Sequence, residues 1–321
     1  MSTRWTWHGG GLRAAQARFG GAEWLDLSTG INPHGWPVPP LDIDWARLPD
    51  EHDLAALEAA AAAHFGAVAG HVCAVPGSEI GLRLVGGVLA GQACHLVPGY
   101  RTHAEMLVGS RAVATPGEAD GATLILANPG NPDGHVFGRD HLLDLLARRG
   151  DGWLLVDEAF ADCDPAISLA DAVAADRRLI VFRSFGKFFG LAGVRLGFVI
   201  GPPALLDEVR RTLGAWPVAA AAIAIGTAAY RDRGWIDAMR TRLRVEAASL
   251  DALLCDAGFR PRGACPLFRL IETGDAAALF DRLARASTLT RPFAGDPHRL
   301  RIGLPPDADA AARLAAALGR G

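Results

Sequence analysis

A primary amine that stands alone is the first chemically suggestive feature of this sequence. Of 32 lysines and arginines, only Lys187 is a lysine. It lies in SFGKFFGLAGVRLGF, residues 184–198, among glycines and phenylalanines. Apolar surroundings disfavour the ammonium form, so a lysine placed there gives up its proton more readily. The neutral amine can then attack an aldehyde and form a Schiff base, which the permanently charged guanidinium of arginine cannot do. Phe185, Phe188 and Phe189 around the lysine favour that use over a solvated surface lysine. An alanine- and arginine-rich composition, as a GC-rich genome would give, thins lysine generally. It does not explain why the one that is kept sits in this motif.

Other polar residues fall at the ends of short apolar runs. Asn128 to Gly134 (NPGNPDG) follows the run 122–127, Asp157 (VDEAF) closes the run 152–157, and Ser184 closes 178–184, three residues before Lys187. Taken singly, such an Asp is a cap or turn former and such an Asn-Pro is a turn. Taken together, they place an amide, a carboxylate and an amine at the carboxyl ends of strands, where open α/β sheets bind ligands.

The elements that must carry these residues are legible as an alternation. Residues 72–75, 94–97, 122–127, 152–157, 178–184 and 195–200 read as strands that are apolar on both faces. Helical stretches lie between them, at 54–66, from the PGSE turn onward, at 139–149 and at 204–213. This pattern predicts an α/β fold with a mainly parallel central sheet covered on both sides. After Pro217 the pattern changes. A long helical stretch at about 219–257 precedes strands at 266–272, 288–293 and 298–304 and helices at 275–286 and 307–318, which suggests a smaller α+β domain. The first 40 residues, rich in Gly, Pro and Trp, read as irregular or extended. The expected division is a large domain at 41–215 and a small domain formed by 1–40 and 216–321.

Composition narrows the classes of function. Net charge is −3, and no run of basic residues exceeds two, which argues against a nucleic-acid or membrane-surface partner. The five cysteines lack any CxxC spacing, so neither a zinc site nor a disulfide framework is supported and no metal is expected. The opening residues contain no apolar segment of the secretory type, and no apolar run approaches a membrane span. The expectation is a soluble cytoplasmic protein with a small-molecule substrate.

With these residues in place, a family resemblance can be stated. The Ser184–Gly197 motif resembles the lysine signature of pyridoxal-phosphate enzymes of fold type I, the aspartate-aminotransferase fold. The resemblance implies that Lys187 carries pyridoxal 5′-phosphate as a Schiff base and that Ser184 and Arg195 hold the cofactor phosphate. It also implies that Asp157 pairs with the pyridinium nitrogen, that Asn131 bonds the phenolic oxygen, and that Tyr100 stacks on the ring. Gly77, Ser78 and Glu79 resemble the turn whose backbone amides meet the phosphate at a helix N-terminus.

The N-terminal HGGG and the DLSTGINPHG block resemble threonine-phosphate decarboxylases of cobalamin biosynthesis. The resemblance implies decarboxylation of L-threonine O-3-phosphate to (R)-1-amino-2-propanol O-2-phosphate by a homodimer. His8, Gly9, Gly30, Asn32 and Asn131 would lie on the substrate. Arg301 would take its carboxylate, and Arg291 its phosphate. The chain departs from its relatives at Leu48, where many have a tyrosine, at Gly30, where asparagine is frequent, and at Phe160, where aspartate-type transaminases use tyrosine. Two alternatives remain open at this stage: an aminotransferase of the histidinol-phosphate type, and a non-catalytic protein that keeps the fold for binding.

Overall fold

A computed structural model describes residues 3–319. The chain separates into two compact units.

The larger unit comprises Gly35–Asn131 and Val136–Ala238. Its centre is a seven-stranded sheet. In spatial order the strands are Val72–Val75, Gly197–Ile200, Leu179–Ser184, Leu154–Asp157, Thr123–Ala127, Ala93–Leu96 and Arg111–Val113. The last five of these pair in parallel, and Gly197–Ile200 runs antiparallel to both of its neighbours. Every residue of the four strands Val72–Val75, Thr123–Ala127, Leu154–Asp157 and Gly197–Ile200 is buried, as the two-sided apolar runs require. One face packs Ile125, Leu155, Ile180, Phe182 and Val199 against Leu82 and Val85 of the Ser78–Val88 helix and Leu206 and Val209 of the Pro203–Leu213 helix. The register sets Asp157 beside Ala127 on one side and Phe182 on the other, and sets Ser184 beside Gly197. The polar strand ends are thereby aligned along one edge.

The smaller unit comprises the chain through His34, Pro132–His135 and Met239 onward. It holds an antiparallel sheet of Arg291–Phe293, Asp296–Gly303 and Phe268–Glu272, and a short parallel pair formed by Leu25–Asp26 and Thr288–Leu289. The Ala276–Arg285 helix begins at Asp275, whose carboxylate accepts the Ala277 and Ala278 amides. It buries Leu279, Phe280 and Leu283.

Three local expectations are corrected. The first 40 residues are not irregular throughout, because Thr3–Trp7 and Leu12–Phe19 are helical. The long helical stretch breaks at Asp232, whose carboxylate accepts the Trp235 amide and the Trp36 indole N–H, leaving helices Ala220–Arg231 and Arg233–Asp256. The 288–293 stretch is divided at Thr290 into separate strands.

Candidate active site

Lys187 lies in a single helical turn, Phe185–Phe188, that follows directly from the strand ending at Ser184. Phe185, Phe188 and Phe189 are fully buried. The rings of Phe185 and Phe189 stack at 4.7 Å, and Phe188 meets the Trp235 ring edge-on at 5.6 Å. These rings anchor the turn. The lysine is half-buried, with Nζ 5.8 Å from the centre of the Phe160 ring.

The lysine faces a cavity of about 220 Å³. All nine residues expected around the ring and its phosphate line this one space, including Asn131 and Asp157. At one end, the Ser78–Val88 helix starts from Gly77, which has φ +97°. A Cβ at Gly77 would stand 2.7 Å from an Arg195 guanidinium nitrogen, and a Cβ at Gly197 would stand 2.3 Å from the Ser78 amide nitrogen. Two glycines thus let an arginine and a helix N-terminus close on each other. Together with the Ser78 and Ser184 hydroxyls lining the same cavity, they form a cradle for a multiply charged anion.

At the far side, the buried Asp157 carboxylate accepts the Ala159 amide at 3.1 Å, and its other oxygen lies 3.0 Å from Nε2 of His103. Tyr100 gives its hydroxyl proton to Glu79 at 3.0 Å, and the Thr102 hydroxyl donates to the same carboxylate. Burial, reinforced by the negative charge of Glu79, pushes the Tyr100 phenol up to about 12. Glu79 therefore acts here through its side chain, holding the aromatic in place.

On the opposite face of the strands that carry Asp157 and Ser184 lies a buried ionic cluster. Arg183 donates to Glu158 at 2.9 Å and to Asp162. Glu158 also accepts from the Ser168 hydroxyl and the Leu169 amide, both at 2.6 Å. His64 lies 2.9 Å from Asp162. The cluster ties together the two strand ends that hold the polar groups of the cavity.

The residues expected on substrate, apart from Asn131, belong to the smaller unit. Arg291 and Arg301 are cross-strand partners on adjacent antiparallel strands. Arg301 is buried, donates to the Ser28 carbonyl at 2.8 Å, and lies with its guanidinium 4.8 Å from the centre of the Phe268 ring. Burial and the neighbouring Arg291 charge lower it to about 10. Arg291 donates to the Trp5 carbonyl at 2.6 Å. His8 is exposed, with Nδ1 2.8 Å from the Gly9 carbonyl. The Gly10 amide donates to the Ser28 hydroxyl at 2.7 Å. Gly30 is buried with φ +60°, and the buried Asn32 accepts the His34 amide. Among the described residues, no group of His, Cys, Asp and Glu is arranged to hold a metal ion.

Sequence reasoning missed His103, Ser28 and the Arg183 cluster. For His103 a signal existed: Tyr100 and His103 are three residues apart, one helical turn, and their rings meet edge-on at 5.8 Å.

Comparison with known proteins gives the family. Residues 89–318 match the family described as aminotransferase class I and II. The chain is 40% identical to a threonine-phosphate decarboxylase of Sinorhizobium sp, with 98% of this chain and 97% of that one covered. It is 42% identical to a threonine-phosphate decarboxylase of Pseudomonas aeruginosa, with 97% and 96% covered. A crystal structure of a histidinol-phosphate aminotransferase from Sinorhizobium meliloti superposes with a TM-score of 0.82 at 20% identity, over 97% of this chain and 94% of that one. That last likeness concerns the fold.

Proposed function

Because the chain belongs to the aminotransferase class I and II family, we propose that it is a pyridoxal-phosphate enzyme that decarboxylates L-threonine O-3-phosphate. The observation that carries this reading is the convergence of Lys187, Asp157, Tyr100, Asn131 and the Gly77–Arg195 cradle on one cavity.

The residues fit the cofactor. Its phosphate needs a pocket without side-chain bulk at a helix N-terminus, and a Cβ at Gly77 would fill that space. Its ring nitrogen needs a buried carboxylate, and Asp157 supplies one. When bound, the cofactor supplies an aldehyde for amine capture and a protonated ring that accepts electrons. Lys187 Nζ would hold the aldehyde carbon, then act as a base and return a proton to the substrate Cα. Ser78, Ser184, Arg195 and the backbone amides of Gly77 to Glu79 would grip the phosphate. Asp157, fixed by His103 and the Ala159 amide, would keep the ring nitrogen protonated. Asn131 would donate to the phenolic oxygen, and Tyr100, tethered through its hydroxyl to Glu79, would cover the ring face.

For the substrate anions, Arg301 would take the carboxylate and Arg291 the phosphate, with His8, Gly9, Gly30 and Asn32 beside them. Two arginines placed opposite each other across strands, one of them buried, repel in the absence of an anion, which supports this assignment. We place the reaction in cobalamin biosynthesis, with (R)-1-amino-2-propanol O-2-phosphate as product. The reading also includes a homodimer. It is supported by the exposure of three large apolar residues of the larger unit, Trp45, Leu48 and Trp216, which a second copy would cover. A reducing, cytoplasmic setting is supported by five cysteines that form no disulfide among the described residues, four of them buried. No helix among the described residues is long and apolar enough to cross a membrane.

The test is to incubate the purified protein with L-threonine O-3-phosphate and measure CO2 and the phosphorylated amino alcohol. Equal amounts without any keto acid are expected. Turnover that needs 2-oxoglutarate would replace this reading with aminotransfer. Lys187→Ala should lose both the product and the yellow absorbance of the bound cofactor. A colourless, cofactor-free wild-type protein would favour a binding module.

A further inference from the structure

Arg301 and the His8–Gly10 turn, both placed above on the substrate, meet at a single residue. The Ser28 carbonyl accepts Arg301 at 2.8 Å, and the Ser28 hydroxyl accepts the Gly10 amide at 2.7 Å. Between them the chain has no slack. A Cβ on Gly9 would lie 2.5 Å from the Ser28 carbonyl oxygen, so the glycine turn rests directly on this residue. Ser28 is in turn fixed from behind. Its hydroxyl donates to Asp26 at 2.6 Å and its amide donates to the same oxygen at 2.9 Å. The neighbouring Leu27 is held on both sides, its amide donating to the Leu289 carbonyl at 2.8 Å and its carbonyl accepting the Gly303 amide at 2.7 Å. Gly303 lies two residues beyond Arg301 on the same strand. Ser28 is almost fully buried, with 1% of its surface exposed.

We propose that Ser28 is a positioning residue that sets the spacing between Arg301 and the His8–Gly10 turn, and thereby selects the substrate's chain length. The proposal rests on the function proposed above, in which Arg301 takes a carboxylate and His8 and Gly9 lie on the phosphorylated substrate. With Arg301 on the carboxylate and the turn lying against the phosphorylated end beside Arg291, a fixed span between Arg301 and the turn favours one separation of carboxylate and phosphate. An amino acid with one more methylene between them places its phosphate about 1.5 Å too far. Discrimination of one methylene by a rigid site typically amounts to about 10- to 200-fold. Loss of the Ser28 hydroxyl frees the glycine turn while leaving the carbonyl on Arg301 intact, so it should erode this discrimination.

The experiment compares O-phospho-L-threonine with its isomer O-phospho-L-homoserine, which lacks the β-methyl and carries its phosphate one carbon farther from the carboxylate, in the cofactor-loaded wild type, Ser28→Ala, Asp26→Ala and Asp26→Asn. Both kcat/KM and the calorimetric Kd are measured for each compound. In Ser28→Ala, kcat/KM for threonine phosphate should fall about tenfold, more through KM than through kcat. The preference over the longer analogue should shrink at least fivefold, in turnover and in binding. Asp26→Ala should do the same. Asp26→Asn, which keeps an oxygen acceptor for Ser28, should retain the wild-type preference. An unchanged preference in Ser28→Ala and Asp26→Ala, with wild-type cofactor absorbance and melting, would overturn the proposal and leave the decarboxylase intact. A wild type that releases no CO2 but still binds threonine phosphate in preference to the longer compound, with that preference lost in Ser28→Ala, would overturn the decarboxylase and support the spacing role.

Discussion

Nε2 of His103 lies 3.0 Å from Oδ2 of Asp157, and both side chains are buried. The other ring nitrogen, Nδ1, has no hydrogen-bond partner among the described residues. Leaving a buried polar atom unsatisfied costs about 1–3 kcal/mol, so the contact with Asp157 is retained at some expense to stability. His103 is thus a positioning residue that fixes the orientation of Asp157. His103→Leu should keep the fold and the bound cofactor but lower kcat by about 10- to 100-fold, the equivalent of a hydrogen bond to a charged group worth about 1.5–3 kcal/mol. Steady-state kinetics combined with the pH dependence of the cofactor absorbance check this. A kcat unchanged within twofold would refute the role.

The chain contains only two tyrosines, Tyr100 and Tyr230. Burial and then the Glu79 charge push Tyr100 up to about 12, and burial followed by the Asp162 charge pushes Tyr230 well above the ordinary range. Raised folded values mean that this stability is fully present below about pH 10 and is lost as pH climbs from there toward the folded values. Tyrosinate absorbance near 295 nm should therefore stay flat past pH 10. It should then rise together with the loss of circular dichroism. A smooth single-site titration centred near pH 10 in the still-folded protein would contradict the burial of Tyr230 and the partial burial of Tyr100.

Much of the cavity was legible in the sequence because its residues sit at the ends of two-sided apolar runs. Asp157 and Ser184 are the polar residues that close such runs, and the glycines around Lys187 mark the turn beyond. His103 was not legible, because it is a single histidine whose partner is 54 residues away. The N-terminal helices were hidden for a different reason. Thr3–Trp7 has only five residues, and Leu12–Phe19 starts from Gly11 without a side-chain cap and ends at Gly20, so glycines gave the segment the composition of a loop. The break at Asp232 carries no Pro, and the nearby Gly234 lies inside the first turn of the second helix. The break is made by a carboxylate that serves Trp36, which is 196 residues away in the chain.

The Arg183–Glu158–Asp162 cluster predicts a divided response to charge removal. Breaking a buried pair by deleting one partner typically costs about 3–5 kcal/mol, whereas replacing the whole pair with apolar groups can be neutral. Glu158→Leu should therefore destabilise strongly in urea, and the further change Arg183→Met should recover part of the loss. The two acids also differ in their pH dependence. Burial raises Glu158, and Arg183 only partly offsets it. Burial would raise Asp162 too, but Arg183 and His64 together outweigh that and hold it well below the usual carboxylate range. Stability from Asp162 is thus present above the ordinary Asp value of about 4 and is lost as pH falls below it. Asp162→Asn should lower stability at pH 7 and flatten its decline between about pH 4 and 2. An equally steep acid limb in that variant would contradict the assignment.

Gly77 carries the last prediction, because its backbone and its surroundings both exclude a side chain. Its φ of +97° with ψ of 144° lies in a region that essentially only glycine occupies, and residues forced there are strained by about 1–3 kcal/mol. The added methyl would stand 2.7 Å from the Arg195 guanidinium. That group is the end of a flexible side chain, so it can move, but moving it opens the anion cradle. Gly77→Ala should therefore weaken cofactor binding at least tenfold and also lower the stability of the apo-protein. Gly87, in the same helix, is the control. A Cβ there meets nothing within 4 Å, so Gly87→Ala should be neutral or slightly stabilising, with cofactor affinity unchanged. Titration of the apo-protein with pyridoxal 5′-phosphate, followed by absorbance, separates the two variants. If both bind the cofactor with wild-type affinity, the phosphate is not held at the Gly77 turn.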